Sequence, residues 1–121
     1  MPTVLLIEDE PSLRQLLRLS FSEAGYTVQE AGDGVAGLDR ARRSRPDLIV
    51  LDVMLPGIDG QEVYRQLQLD ELTSSIPILV VTASTSAQDE LRWQVGVANT
   101  FSKPFDAEAV VQRANVLIGR E

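Results

Sequence analysis

The stretch Pro46-Asp47-Leu48-Ile49-Val50-Leu51-Asp52-Val53-Met54-Leu55-Pro56-Gly57-Ile58-Asp59-Gly60 decides the fold. Four apolar residues, Leu48 to Leu51, run without interruption and stop at an acid, Asp52. Successive strand side chains point to opposite faces, so a short, wholly apolar run suits a strand covered on both sides. Arg45-Pro46-Asp47 punctuates the chain before it, and Pro56-Gly57 and Asp59-Gly60 form a loop after it. Gln61 to Leu69 then reads as a helix, with Val63 and Leu67 four apart. Gly57 and Gly60 read as turn residues rather than as a phosphate cradle.

The same phrase recurs along the chain. Val4-Leu5-Leu6-Ile7 is a second short apolar run, ending in Glu8-Asp9-Glu10. Pro11 fits the first turn of a helix in which Leu13, Leu16, Leu17 and Phe21 recur at helical spacing, and Gly25 supplies the stop. Glu10 is best placed as a capping or solvated acid at the head of that helix. Tyr26 to Ala31 reads as a partly exposed strand, and Val35 to Ser44 as a helix after the Gly32-Asp33-Gly34 break. Ile78-Leu79-Val80-Val81 is a further buried strand, ending in Thr82. Ser86 to Val95 is a predicted helix, Thr100 to Ser102 a short strand ending in Lys103, and Asp106 a cap for a last helix running to Leu117 or Ile118. Strand and helix therefore alternate five times. That pattern predicts an α/β domain with a parallel five-stranded sheet covered by helices on both faces. The natural arrangement is the flavodoxin-like (βα)5 sandwich with strand order 2-1-3-4-5.

Composition narrows the chemistry. A chain of 121 residues, 44% hydrophobic and 24% charged, forms one domain over 1–121 and buries a core without staples. It has no Cys and no His, which excludes disulfides, thiolate metal sites, Ser-His catalysis and a phosphohistidine on this chain. Eighteen acids against eleven bases give a formal charge of -7, a poor match for nucleic acid or an anionic membrane. Met1-Pro2-Thr3 leads straight into an apolar run, so no secretory signal is expected and the protein is expected in the cytoplasm. Ten of the eleven bases are Arg, and Lys103 is the sole lysine. Arg40, Arg42, Arg43 and Arg45 crowd the end of the second helix and read as a solvated face complementing its dipole.

Ligands bind such a sheet at the carboxyl ends of its strands, where this chain has Glu8, Asp9, Asp52, Thr82 and Lys103. Strands one and three are neighbours in the expected order, so their acids converge. Converging carboxylates repel unless a cation sits among them, and oxygen ligands of this kind suit Mg²⁺. The cation, the Lys103 ammonium and the Thr82 hydroxyl would surround a space suited to a phosphoryl dianion, with Asp52 the central nucleophile.

With those residues in order, the sequence resembles a receiver domain of the bacterial two-component response regulators. The resemblance runs from Val4 to Ile118. It is carried by the apolar run into Glu8-Asp9-Glu10-Pro11, the stretch from Pro46 to Gly60, Val80-Val81-Thr82-Ala83, and Gly96 followed by Lys103-Pro104-Phe105. It implies that Asp52 accepts a phosphoryl group from a phosphohistidine on a histidine kinase or histidine phosphotransfer protein. Asp9, Asp52 and the backbone carbonyl of Met54 would ligate Mg²⁺ or Mn²⁺, with Glu8 reaching the ion directly or through water. Thr82 would hydrogen-bond the phosphoryl group and shift toward it, Lys103 would pair with its oxygens, and small Ala83 would leave it room. The Lys103-Pro104 bond is expected to be cis. Such a domain phosphorylates and dephosphorylates only itself. Its output is a downstream protein or a homodimer, through the face of the fourth helix and fifth strand.

Three residues depart from the family's pattern or stand out against it. Thr100 occupies the place, three before the lysine, where the family usually has Tyr or Phe; Phe101, one later, faces the other side of the strand. A weaker or differently built switch is the consequence. Trp93 lies two residues from both Leu91 and Val95, off the core stripe of the fourth helix; it is expected either on the partner face that the resemblance implies or folded back over a loop as local packing. Apolar Met54 and small Ser84 offer no base for hydrolytic water, so slow loss of the phosphoryl group is expected. Competing readings fare worse. A haloacid-dehalogenase-type phosphatase wants an acid where Met54 stands, and a flavodoxin wants a phosphate loop where this chain has acids. A pseudo-receiver, an interaction module not controlled by phosphorylation, has only Thr100 in its favour. Replacing Thr100→Tyr is expected to change partner binding by the phosphorylated or unphosphorylated protein; equal binding by variant and wild type in both states would overturn the altered switch.

Overall fold

The computed structural model describes residues 1–82, 94–96 and 99–120. Five strands, β1 (Thr3–Ile7), β2 (Thr27–Ala31), β3 (Leu48–Asp52), β4 (Ile78–Thr82) and β5 (Thr100–Ser102), form one sheet in the order β2-β1-β3-β4-β5. Every pairing is parallel. The helices among the described residues are α1 (Pro11–Glu23), α2 (Gly34–Ser44), α3 (Gly60–Leu69) and α4 (Ala107–Leu117). The helix expected over Ser86–Val95 falls outside the described residues except at its end, where Gln94 and Val95 are helical.

Alternation along the strands builds two cores. Leu5, Ile7, Ile49, Leu51, Ile78 and Val80 face one way and pack with Leu38 and Ala41 of α2 and Val63 and Leu67 of α3. Val4, Leu6, Leu48, Val50, Leu79 and Val81 face the other way, against Leu17 and Phe21 of α1 and Val110, Val111 and Ala114 of α4. β1, β3 and β4 are buried on both faces, which is why they read as unbroken apolar runs. β2 is the exposed edge, and its mixed sequence Thr-Val-Gln-Glu-Ala reflects that. Tyr26 precedes it rather than joining it: the ring stands edge-on to Phe21 at 4.9 Å, and the hydroxyl donates to Asn115 Oδ1 at 2.6 Å.

The helix starts are set by short acids. Asp33, Asp59 and Asp106 occupy N-cap positions and accept from the backbone amides of Ala36, Glu62 and Glu108. Glu10 takes the same position on α1 without capping it; its carboxylate accepts from the Ser12 hydroxyl instead. On α1 the buried stripe is narrower than the periodicity implies, for Leu16 is 44% exposed. The arginines at the end of α2 are exposed; Arg42 pairs with Asp70 and Arg43 with Asp39.

Gly60 ties this scaffold to the strand ends. Its amide donates to the Val53 carbonyl (2.8 Å), and a Cβ there would lie 2.4 Å from Val53 Cα and 2.6 Å from the Asp52 carbonyl oxygen. The glycine is thus required by close approach of α3 to the backbone of β3, not by a turn. Gly60→Ala is expected to destabilise the fold by on the order of 2 kcal/mol, despite the better helix propensity of alanine, because backbone atoms cannot yield. A denaturant midpoint at or above that of wild type would contradict the close-approach argument.

Candidate functional site

β1 and β3 lie side by side, with Leu6 paired to Val50 and Ile7 to Leu51. Their carboxyl ends therefore deliver Glu8, Asp9 and Asp52 to one place, and a carboxylate oxygen from each lies within 4.8 Å of the others. Glu8 and Asp52 are buried, with 1% of each side chain exposed, while Asp9 opens to solvent. Lys103 comes from the far edge of the sheet, just after β5. Its amide donates to the Thr82 carbonyl (2.9 Å), and its Nζ reaches Asp52 Oδ2 at 2.9 Å and Glu8 Oε1 at 3.2 Å. The Lys103-Pro104 peptide is cis. Asp52 Oδ1 accepts from the Met54 amide (3.0 Å), while the Met54 side chain is exposed.

Thr82 ends β4, buried, one residue beyond Val81, the pairing partner of Asp52. Thr100 pairs with Val80 further down the sheet, and its hydroxyl donates to the Gly96 carbonyl at 3.2 Å. Phe101 packs on the opposite face, in the core of α1 and α4. The aromatic ring is therefore on the wrong side of β5 to stand in for a residue at position 100. Ala83, Ser84 and Trp93 lie outside the described residues. One contact has no counterpart in the sequence pattern: Arg14 Nη1 donates to the Glu8 carbonyl oxygen at 2.9 Å. Arg14 is one of ten arginines, and no local motif marks it.

Among the described residues, three carboxyl groups share a mostly buried cleft with one ammonium. Burial, then the hydrogen bond and the charge of Asp52, push the Glu8 carboxyl up to about 7, against the opposing pull of the Glu10 amide and Lys103. For Lys103, burial alone would lower the pKa, but hydrogen bonding to Asp52 and the charges of Asp52 and Glu8 outweigh it and raise it. Glu8 Oε1 is buried without a hydrogen bond, although the ammonium is close enough for an ion pair. A hard, all-oxygen donor set in which acids outnumber the one described base, with a buried oxygen left without a hydrogen bond, fits Mg²⁺ or Mn²⁺. The cluster is a divalent-cation site of that kind.

Comparison with known proteins agrees with this geometry. The model of the response regulator receiver domain matches residues 4–115. The chain is 40% identical over 121 residues to the DNA-binding dual master transcriptional regulator RpaA of Synechocystis, covering 99% of this chain and 50% of that protein. Among solved structures, a putative response regulator from Chloroflexus aurantiacus superposes with a TM-score of 0.88 at 30% identity, covering 98% of each chain. The chemotaxis response regulator CheY4 of Vibrio cholerae does so at 0.85 and 30%, covering 97% of this chain and 98% of that one. The chain belongs to the response regulator receiver domain family. It spans about half the length of the curated relatives it matches. Its fold and acidic cluster are those of a Mg²⁺-dependent phosphoaspartate signalling switch. No helix among the described residues is long and apolar enough to cross a membrane.

Glu8 binds its proton more tightly in the folded state than the usual 4.5 of the free carboxyl. Between about pH 4.5 and pH 7 Glu8 therefore keeps its proton in the metal-free folded state and gives it up in the unfolded state, so its own contribution to stability falls with each rise in pH. Glu8→Gln removes that penalty. In chelator at pH 7.5 the variant is expected to melt above wild type, and at pH 4.5 the two should melt alike. A variant that melts below wild type at pH 7.5 would refute the electrostatic account.

Proposed function

We propose that Asp52 is the phosphoacceptor and that its donor is a phosphohistidine on a histidine kinase or histidine phosphotransfer protein. The observation that carries this reading is the Lys103 ammonium, 2.9 Å from Asp52 Oδ2 and 3.2 Å from Glu8 Oε1, bridging residues far apart in the chain. Asp52 is held at the strand end by the Met54 amide on one oxygen and by Lys103 on the other. In the transfer the N–P bond of the donor breaks, an Asp52 O–P bond forms, and the donor imidazole keeps the electron pair of the broken bond. A bound Mg²⁺ or Mn²⁺ would neutralise the phosphoryl oxygens; Glu8, Asp9, Asp52 and the Met54 carbonyl would hold it. Lys103 then exchanges a carboxylate oxygen of Asp52 for a phosphoryl oxygen, and the Thr82 hydroxyl donates to another. Ala83 would leave the group room to enter.

The functional unit proposed is a single receiver domain over 1–121 in the cytoplasm, with no nucleic-acid or membrane binding of its own. The acidic charge of -7 supports the last point. Signal leaves through the β5 side, where Thr100 and Trp93 would form the partner or homodimer face. Thr100 favours the alternative of a module that binds partners without phosphorylation, because no aromatic occupies its place to follow Thr82. The acid cluster and Lys103 favour the phosphorylated switch.

Incubation with acetyl phosphate and Mg²⁺ separates the two. The expected result is one added phosphoryl mass, absent in Asp52→Asn and absent when the metal is chelated. An added mass that persists in Asp52→Asn would place the acceptor elsewhere, and no added mass in wild type would leave the interaction module.

A further inference from the structure

We propose that Arg14 is a positioning residue for the divalent-cation site, a role that rests on reading Glu8, Asp9 and Asp52 as that site. Strand β2 stops at Ala31, and the pairing of β1 with β2 ends at Ile7 and Ala31. The Glu8 amide still donates to the Ala31 carbonyl at 3.1 Å. Beyond that the chain turns into Gly32-Asp33-Gly34, so the Glu8 carbonyl has lost the neighbouring strand that would have supplied its next donor. Arg14, one turn into α1, fills that place with Nη1 at 2.9 Å.

The guanidinium is itself anchored. Its Nε donates to Glu30 Oε1 at 3.1 Å, so the side chain links α1, the end of β1 and the edge strand β2. Gly32 leaves room for it: a Cβ there would stand 3.3 Å from Nη1. The peptides on either side of Glu8 are thus both fastened, one by the Ala31 carbonyl and the other by Arg14. The Glu8 carbonyl oxygen is committed to Arg14, so this turn offers a cation its Glu8 and Asp9 carboxylates, beside that of Asp52. Asp9 is the exposed member of the trio, and the peptide that carries its amide is the one Arg14 fastens. Arg18 provides an internal comparison. It also pairs with Glu30, at 3.3 Å, but it is 44% exposed and its hydrogen bond goes to that carboxylate rather than to the β1 backbone.

The experiment is a Mn²⁺ titration followed by electron paramagnetic resonance, which reads free ion without any phosphoryl transfer, with urea unfolding in chelator alongside. Supports of metal ligands change affinity by about 10-fold or more. Arg14→Ala is expected to weaken Mn²⁺ binding by about that factor while remaining folded. Arg14→Lys keeps one donor for the carbonyl and is expected to recover part of the loss. Arg18→Ala, which removes only an exposed pair, is expected to bind within about twofold of wild type. Equal affinity in Arg14→Ala and wild type, an equal loss in Arg18→Ala, or no recovery in Arg14→Lys overturns the positioning role and leaves the metal site standing. Absence of Mn²⁺ binding by wild type overturns both.

Discussion

A single ammonium, Lys103 Nζ, holds together the polar end of this molecule. It stands between the buried carboxylates of Glu8 and Asp52, and without it two like charges would share a cleft closed to most water. Charges so placed are costly to desolvate, and they persist because each is paired or hydrogen-bonded. The pairing is also incomplete: three acids outnumber one base, and Glu8 is driven toward its neutral form. The unmet charge is what makes the cleft receptive to a divalent cation.

The parallel sheet converts distant sequence positions into neighbours. β1 and β3 pair in register, so their terminal acids meet, and the pairing of Asp52 with Val81 sets Thr82 one step further along the adjacent strand. β5 pairs Ser102 with Thr82, and the next residue is Lys103. Two supports reach the cleft from outside the sheet. Gly60 lets α3 lie against the backbone of Asp52 and Val53, and Arg14 fastens the turn that carries Asp9.

The strands were legible because those buried on both faces have no polar positions to blur the pattern. Val4 to Ile7, Leu48 to Leu51 and Ile78 to Val81 are all such runs, and each sits in the sheet at its expected place. Edges and caps were less legible. Tyr26 reads as strand but serves the core beside Phe21, because an aromatic residue satisfies both patterns. Leu16 fits the α1 periodicity yet stays exposed, since spacing defines a stripe but not how wide a neighbour covers it. Glu10 has a capping position without the capping bond, its longer side chain turning to Ser12.

From the sequence alone came the alternation of elements, the sheet order and the acids at its rim, together with the absence of His and Cys that confines the chemistry to carboxylates and one amine. These are local properties, written in the period of the apolar residues and in the polar residue that closes each run. Tertiary structure alone decided which cation meets which acid: that Lys103 bridges Glu8 and Asp52, that Arg14 rather than any of the eight other described arginines reaches the Glu8 carbonyl, and that Gly60 is pressed against β3. Long charged side chains carry no periodicity, and the contacts they make depend on where a strand ends and how closely a helix crosses it, which no stretch of neighbouring residues records.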